Sequence, residues 1–182
     1  MVTDIEIQIP KSLVLSTEGF DAFINDNQLG DLASTRPSDV EIADLFLKAR
    51  IPELMQKDLK LFVAQSTYPL AVRSSSLLED AQFQPFAGIY KTYMLPNNHP
   101  DPEVRLQRLL MAIKLVYAST YYESPRSYAG STLHRLEDEK MAVVIQQLTG
   151  AVCGEFFFPS RFCLAQSYNF YPIAHLKPEE GI

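Results

Sequence analysis

The sequence predicts an α+β fold in which helices pack on a mixed, mainly antiparallel sheet. Helical patterns dominate the early part of the chain, and apolar strand patterns dominate its later part. Several predicted strands also follow one another too closely for the helical crossover that joins parallel strands. Elements that are segregated in this way favour an α+β architecture over alternating α/β units.

The N-terminal region, residues 1–66, carries one strand pattern and three helix patterns. Isoleucines alternate with polar residues over residues 5–9, which predicts a half-buried strand. Ser16 is a suitable N-cap for the first helix, which we expect to end near Gly30. A capping-box pattern at residues 38–41 begins the second helix, and a third follows directly. The apolar side chains at helical spacing in these segments are Phe20, Phe23, Ile24, Ile42, Leu45, Phe46, Ala49, Leu59, Phe62 and Val63.

The remaining residues, 67–182, are predicted to hold most of the strands and the longest helix. That helix begins at Asp101-Pro102 and runs to about residue 122, because proline suits the first helical turn. The polar segment 124–140 is predicted to be a connection with a solvated run of charges. The predicted strands are LAVRS (70–74), GIYKTYML (88–95), MAVVIQQLT (141–149), EFFFP (155–159) and CLAQSYNFY (163–171).

Composition and charge exclude several classes of protein. The net charge of -6 and the pI of about 5.1 argue against a nucleic-acid-binding surface, which would need a basic stripe. No apolar run approaches the ~20 residues of a membrane span, and the N-terminus is too acidic for a signal peptide, so we expect a cytoplasmic protein. Cys153 and Cys163 allow a disulfide, but two reduced core thiols fit that compartment better, and neither has the spacing of a zinc site.

Arg73 is the first residue whose position demands an explanation. It follows the apolar run Leu70-Ala71-Val72, and a guanidinium at the end of a buried strand needs an anion. Spacing alone favours an ion pair with the carboxylates at residues 79 and 80. A ligand phosphate is the alternative, because the serines at 74–76 offer donors in a row. Ala87-Gly88 would let a backbone approach closely, although no Walker A or GxGxxG pattern is present.

The segment AVRSSSLLEDAQFQPFAG, residues 71–88, resembles the nucleotide-binding domain of the pyruvate phosphate dikinase and phosphoenolpyruvate synthase family. The family pattern is V-R-S-S-A-x-x-E-D, five residues, then F-A-G, and this chain departs from it at Ser76 and Pro85. AIKLVYAS (112–119) and MAVVIQQL (141–148) are similar to two further family segments. The resemblance covers most of the chain and is strongest over residues 70–148.

The resemblance implies an ATP-grasp-type fold in which ATP lies between two subdomains and its β-phosphoryl group passes to a histidine on a separate domain. Arg73 would then clasp the ATP phosphates, and Ser74 and Ser75 would orient them. A loop containing Phe86, Ala87 and Gly88 would cover the triphosphate. The residues expected to present backbone groups to the adenine edge are Gln146, Gln147 and Leu148.

The resemblance further implies that residues 1–182 form part of an ATP-grasp domain within a larger protein. The ligands of Mg²⁺ would lie outside this chain, as would the phosphohistidine domain and the domain that binds the phosphoryl acceptor. None of the histidines stands in the family's T-S-H pattern, so no catalytic residue and no metal ligand is identified here. Departures at Pro85, Ala129 and Glu155 leave an alternative, a non-catalytic nucleotide-sensing or docking module, and the role of Arg126 stays open.

Overall fold

A computed structural model of the chain describes residues 9–30, 32–35, 37–76, 88–129, 139–159 and 177. The chain divides into two compact units, Met1–Leu148 and Thr149–Ile182. The described residues of the first unit form helices and a four-stranded sheet, and those of the second form a two-stranded hairpin. The predicted α+β fold with an antiparallel sheet is confirmed, and the predicted boundary after residue 66 stays a prediction.

The helices follow the apolar periodicity of the sequence closely. Ser38 and Glu41 form the predicted capping box, in which the Ser38 backbone N–H donates to Glu41 Oε2 at 2.8 Å. Asp101 caps the longest helix by accepting a hydrogen bond from the Glu103 backbone N–H at 2.8 Å. Within the described residues, no helix is both long and apolar enough to cross a membrane. The helices are α1 Thr17–Asp26, α2 Leu32–Thr35, α3 Asp39–Lys48, α4 Glu53–Gln65, α5 Pro102–Ser119 and α6 Glu123–Ala129.

Two helix predictions are corrected by side-chain contacts. α1 ends at Asp26 rather than near Gly30, because the Asn27 side chain closes the helix: its Nδ2 donates to the Phe23 carbonyl at 2.8 Å. The same amide also pairs with the backbone N–H and C=O of Arg50, both at 2.8 Å. α6 lies in the segment that was predicted to be a polar connection, so a helical turn with few apolar residues was missed.

All pairings in the four-stranded sheet are antiparallel, in the order β1-β4-β2-β3. The predicted strand at 70–74 is confirmed, whereas the one at 88–95 shrinks to its last three residues, because Gly88 begins a turn. The strand predicted at 5–9 falls largely outside the described residues, and a strand that was not predicted lies at 12–15. The strands are β1 Ser12–Leu15, β2 Leu70–Ser75, β3 Tyr93–Leu95 and β4 Ala142–Gln147.

The sheet has one face toward the helices and one face away from them. α5 packs against β2 and β3, and α1 packs against β4. Side chains alternate along a strand, and Leu70, Val72 and Ile145 belong to the core cluster on the helix side. Their neighbours point to the opposite side, which we call the open face. The open face consists of Ser12, Val14, Ala71, Arg73, Ser75, Met94, Ala142, Val144 and Gln146.

A buried polar network fixes the chain where it enters β2. Arg105 is 6% exposed, and its guanidinium donates to the carbonyls of His99 at 2.6 Å and Val63 at 3.0 Å. The Asn97 amide donates to the carbonyls of Ser66 at 2.9 Å and Tyr68 at 3.0 Å. The Asn97 contacts satisfy backbone acceptors in the turn between α4 and β2, and the Arg105 contacts join the end of α4 to the loop before α5, so together they position the start of β2.

The second unit is described over a short hairpin, β5 Ala151–Cys153 and β6 Phe156–Phe158. The turn uses Gly154 at φ +63, a conformation that favours glycine. The strand predicted at 155–159 is thus confirmed in its centre, but Phe156 and Phe158 are 64% and 55% exposed rather than core residues. Cys153 is exposed, contrary to the expected core thiol, and Cys163 and the strand predicted at 163–171 lie outside the described residues.

Candidate functional site

Arg73 lies on the open face of the central strand pair. It is paired in register with Val144 of β4, and its side chain is exposed because β2 alternates and its neighbour Val72 is fully buried on the helix side. Within the described part of the chain, no carboxylate pairs with its guanidinium. The predicted ion-pair partners, Glu79 and Asp80, lie outside the described residues. The guanidinium is therefore presented to solvent beside an exposed sheet surface.

The three serines that follow Arg73 do not act as one group. Ser75 pairs with Ala142 and shares the open face with Arg73. Ser74, which with Ser75 is predicted to orient the phosphates, pairs with Val143, and its side chain points to the helix side, opposite to that of Arg73. Ser76 is 6% exposed, and its Oγ has no hydrogen-bond partner among the described residues. Because side chains alternate between the two faces of a strand, the sequence alone could have shown that Ser75 shares a face with Arg73 and that Ser74 does not.

Gly88 is the described end of the predicted phosphate-covering loop, while Phe86 and Ala87 lie outside the described residues. Gly88 is exposed at φ +83, and its place in the turn favours glycine. Just beyond it, the buried Tyr90 hydroxyl donates to Glu139 Oε1 at 3.2 Å. Glu139 was predicted to belong to a solvated charge run, and instead it is buried because it anchors this turn.

The backbone at the end of β4 offers fewer groups than predicted. The N–H of Gln147 donates to the Lys11 carbonyl at 2.8 Å, and the N–H of Leu148 donates to the Pro69 carbonyl at 2.9 Å. Both donors are therefore occupied by the neighbouring strands. The Gln146 side chain lies on the open face and donates to Ser12 Oγ at 3.3 Å. Gln146 forms a hydrogen-bonded ladder pair with Ala71, so the groups left for an adenine edge are the carbonyls of Gln147 and Leu148 and the amide oxygen of the Gln146 side chain.

An apolar strip next to Arg73 was not predicted from the sequence. Val14 and Met94 are 58% and 62% exposed on the open face, and Val144 is half-buried between Val14 and Arg73. Ala71 lies between Gln146 and Met94 in the same surface and is buried, at 3% exposure. An exposed cation beside an exposed apolar strip suits a ligand that has an anionic end and a flat apolar end.

Burial shifts the pKa values of two groups on the helix side of the sheet, Tyr93 and Lys114. Burial raises the pKa of the Tyr93 hydroxyl and lowers the pKa of the Lys114 ammonium. Lys114 donates to the Leu47 carbonyl at 3.0 Å, where it caps the end of α3. These shifts have a structural cause and do not mark a second site.

The remaining polar candidates are engaged in the fold. Arg126, 18% exposed in its side chain, lies 3.8 Å from Asp39 Oδ1, which also accepts a hydrogen bond from the Glu123 backbone N–H at 2.8 Å. This contact joins α6 to α3. His99 Nδ1 accepts a hydrogen bond from the Asp101 backbone N–H at 3.1 Å. Across the described ranges, no three His, Cys, Asp or Glu side chains cluster in a way that could hold a metal ion.

Comparison with known proteins gives two findings. The family model described as "Pyruvate phosphate dikinase, AMP/ATP-binding domain" matches residues 1–158, which confirms the resemblance indicated by the sequence. An uncharacterized phosphotransferase, YvkC of Bacillus subtilis (strain 168), is 28% identical over 142 residues. That alignment covers 78% of this chain and 16% of YvkC, so the chain spans a small part of that relative's length.

Proposed function

Because this chain belongs to the family of pyruvate phosphate dikinase AMP/ATP-binding domains, we propose that it is the ATP-binding part of a phosphotransferase that resembles phosphoenolpyruvate synthase or pyruvate phosphate dikinase. One observation carries the placement of the ligand. Arg73, which matches the arginine of the family pattern, is exposed on the open face, with no carboxylate pairing within the described residues.

The phosphate end of the ligand is assigned to Arg73. A planar guanidinium can donate two parallel hydrogen bonds to phosphate oxygens, and its fixed charge would stabilise the charge that develops during phosphoryl transfer. Ser75 lies on the same face and can add a hydroxyl donor. Gly88, at the exposed turn, supplies backbone that can approach the phosphates closely. We also propose Ser74, Phe86 and Ala87 as members of the phosphate site, and Ser74 would act through its backbone.

The base end is assigned to the end of β4. Arg73 lies four positions after Pro69 along an extended strand, a distance of about 13 Å. An extended nucleotide whose base lies near Leu148 would therefore place its phosphates beside Arg73. Met94, which lies opposite Ala71 between these two ends, would contact the ribose, whose burial against apolar surface is favourable, whereas Val14 and Val144 lie in register with Arg73 at the phosphate end.

The chemistry of transfer needs groups beyond these residues. Mg²⁺ would neutralise charge on the triphosphate, and its oxygen ligands are proposed to lie outside this chain. We likewise propose that the phosphoryl group passes to a histidine on another domain of the same polypeptide, and that a further domain binds the acceptor. The role of this chain is to bind the nucleotide, orient its phosphates and exclude water from them. We propose a cytoplasmic location and no nucleic-acid partner.

A second candidate is a non-catalytic nucleotide-sensing or docking module. The family pattern has an arginine where this chain has Ala129, and Arg126 is the nearby arginine that could replace it. Arg126 contacts Asp39 instead, and this favours the non-catalytic module. A module would bind ATP without turning it over. Measurement of AMP and phosphohistidine formation by the full-length protein separates the two candidates, because an enzyme forms both products and a module forms neither.

Calorimetric titration with Mg²⁺-ATP tests the proposal. We expect the full-length protein to bind ATP and this chain alone to bind it weakly. Replacing Arg73 with lysine keeps the charge but removes the planar pair of N–H donors. This substitution should weaken ATP binding by about tenfold. Arg108→Lys, on the exposed side of α5, is the matched control and should change nothing. Absence of binding by the full-length protein would overturn the nucleotide assignment, and tight binding by this chain alone would overturn the divided site.

A further inference from the structure

We propose that Pro69 sets the base preference of the site by leaving the carbonyl of Leu148 without a hydrogen-bond donor from the neighbouring strand. This inference rests on the proposed nucleotide function and adds a specificity-determining residue to it. Pro69 is half-buried, immediately precedes β2 and lies opposite Leu148, where the proposed function places the base. It acts through backbone chemistry, so its role cannot be read from side-chain contacts.

The register of the sheet places Pro69 opposite Leu148. Leu70 pairs with Gln147, so the next pair outward is Pro69 and Leu148. The Leu148 N–H donates to the Pro69 carbonyl at 2.9 Å, which makes this a hydrogen-bonded pair. In such an antiparallel pair the two residues exchange both N–H···O bonds. Proline has no N–H, and the return bond to the Leu148 carbonyl therefore cannot form.

The result is a strand end that offers an acceptor while its nearest donors are occupied. The N–H groups of Gln147 and Leu148 are both bound to neighbouring carbonyls, as described above. A carbonyl favours a ligand group that donates, such as the exocyclic amino group of a 6-aminopurine. The oxygen of a 6-oxopurine would meet the carbonyl acceptor against acceptor. The geometry therefore selects adenine nucleotides over hypoxanthine nucleotides.

The substitution Pro69→Ala tests this mechanism directly, because it supplies the missing N–H. Alanine at this position can donate to the Leu148 carbonyl and complete the ladder pair. Pro10→Ala is the matched control. Lys11 and Gln147 form the hydrogen-bonded pair on the other side of β4, so the adjacent residue, Pro10, is at a position whose N–H points away from β4.

The experiment measures the dissociation constants of ATP, inosine triphosphate and inorganic tripolyphosphate for the full-length protein with Mg²⁺. We expect ATP to bind about tenfold more tightly than inosine triphosphate, as one hydrogen bond of this kind allows. Pro69→Ala should bring that ratio close to one, Pro10→Ala should preserve it, and tripolyphosphate affinity should be the same in all three proteins. An unchanged ratio in Pro69→Ala overturns the inference, as does equal affinity of the unmodified protein for both nucleotides.

A second measurement keeps the test decisive if Pro69→Ala fails to fold. Purine riboside triphosphate carries hydrogen at C6 and neither donates nor accepts there. The unmodified protein should bind it more weakly than ATP, and equal affinity overturns the inference. If tripolyphosphate and ATP both fail to bind, the proposed function itself is wrong. If they bind without base preference, only the role of Pro69 is wrong.

Discussion

Two arginines near β2 differ in their surroundings: Arg105 of α5 lies beside the start of the strand, and Arg73 lies within it. Before the strand, Arg105 is buried, and its guanidinium is divided between the carbonyls of His99 and Val63. Within the strand, Arg73 is exposed on the open face and forms no ion pair among the described residues. The first arginine is part of the fold, since its acceptors are built from the backbone. The second has its donors exposed on the open face, where a ligand can reach them.

The largest expected effect is the loss of stability in Arg105→Ala. Removal of this buried side chain deletes its charge-assisted hydrogen bonds to the carbonyls of His99 and Val63, which should lower the free energy of unfolding by about 3 kcal/mol. Urea denaturation measures the change, with Arg108→Ala on the same helix as the control. A loss below about 1 kcal/mol would show that the network at the start of β2 contributes little.

Arg73→Ala should show the reverse pattern. Because the guanidinium is exposed, its removal should change the free energy of unfolding by no more than about 0.5 kcal/mol. The affinity of the full-length protein for ATP should fall by about thirtyfold or more, since a charged hydrogen-bonding partner of the phosphates is lost. A drop in stability of about 3 kcal/mol would instead indicate a buried ion pair, and the comparison between the two arginines would fail.

Asn97 tests whether the region before β2 depends on side-chain donors or on backbone conformation. Its φ is 50, and its amide holds the carbonyls of Ser66 and Tyr68. Glycine adopts this φ without strain, so Asn97→Gly loses only the hydrogen bonds. Asn97→Ala loses the hydrogen bonds and also strains the backbone. We expect thermal unfolding to show a loss of about 1–2 kcal/mol for glycine and more for alanine. Equal losses would show that backbone strain is negligible there.

The sequence allowed the helices and the motif at Arg73 to be predicted, because both depend on local spacing. α3 and α5 follow apolar periodicity with recognisable caps. The register of the sheet could not be predicted, since β1 pairs with a strand more than a hundred residues away in sequence. The position of the Leu148 carbonyl opposite Pro69 and the apolar strip around Val14 and Met94 depend on that register. Strand alternation alone would have separated Ser74 from Ser75.

The Arg105 network also lay beyond prediction from sequence. An arginine on an amphipathic helix is normally solvated, and its acceptors here come from a loop and from the end of another helix. Conversely, Glu139 was assigned to a charged surface run because its neighbours in sequence are charged. Its burial depends on Tyr90, a residue in a distant turn. In both cases the decisive partner is distant in the chain.

The smallest expected effect is that of Ser76→Ala. This substitution tests whether a buried polar group needs a hydrogen-bond partner, such as those that Arg105 has. Ser76 is buried like Arg105, yet among the described residues its Oγ has no partner. A buried hydroxyl without a partner opposes folding, so alanine should leave the free energy of unfolding unchanged or raise it by up to about 1 kcal/mol. Chemical denaturation measures this, and ATP affinity should stay constant. Destabilisation by the substitution would show that the hydroxyl is satisfied in the folded protein, and the contrast between partnered and unpartnered buried groups would then be lost at this position.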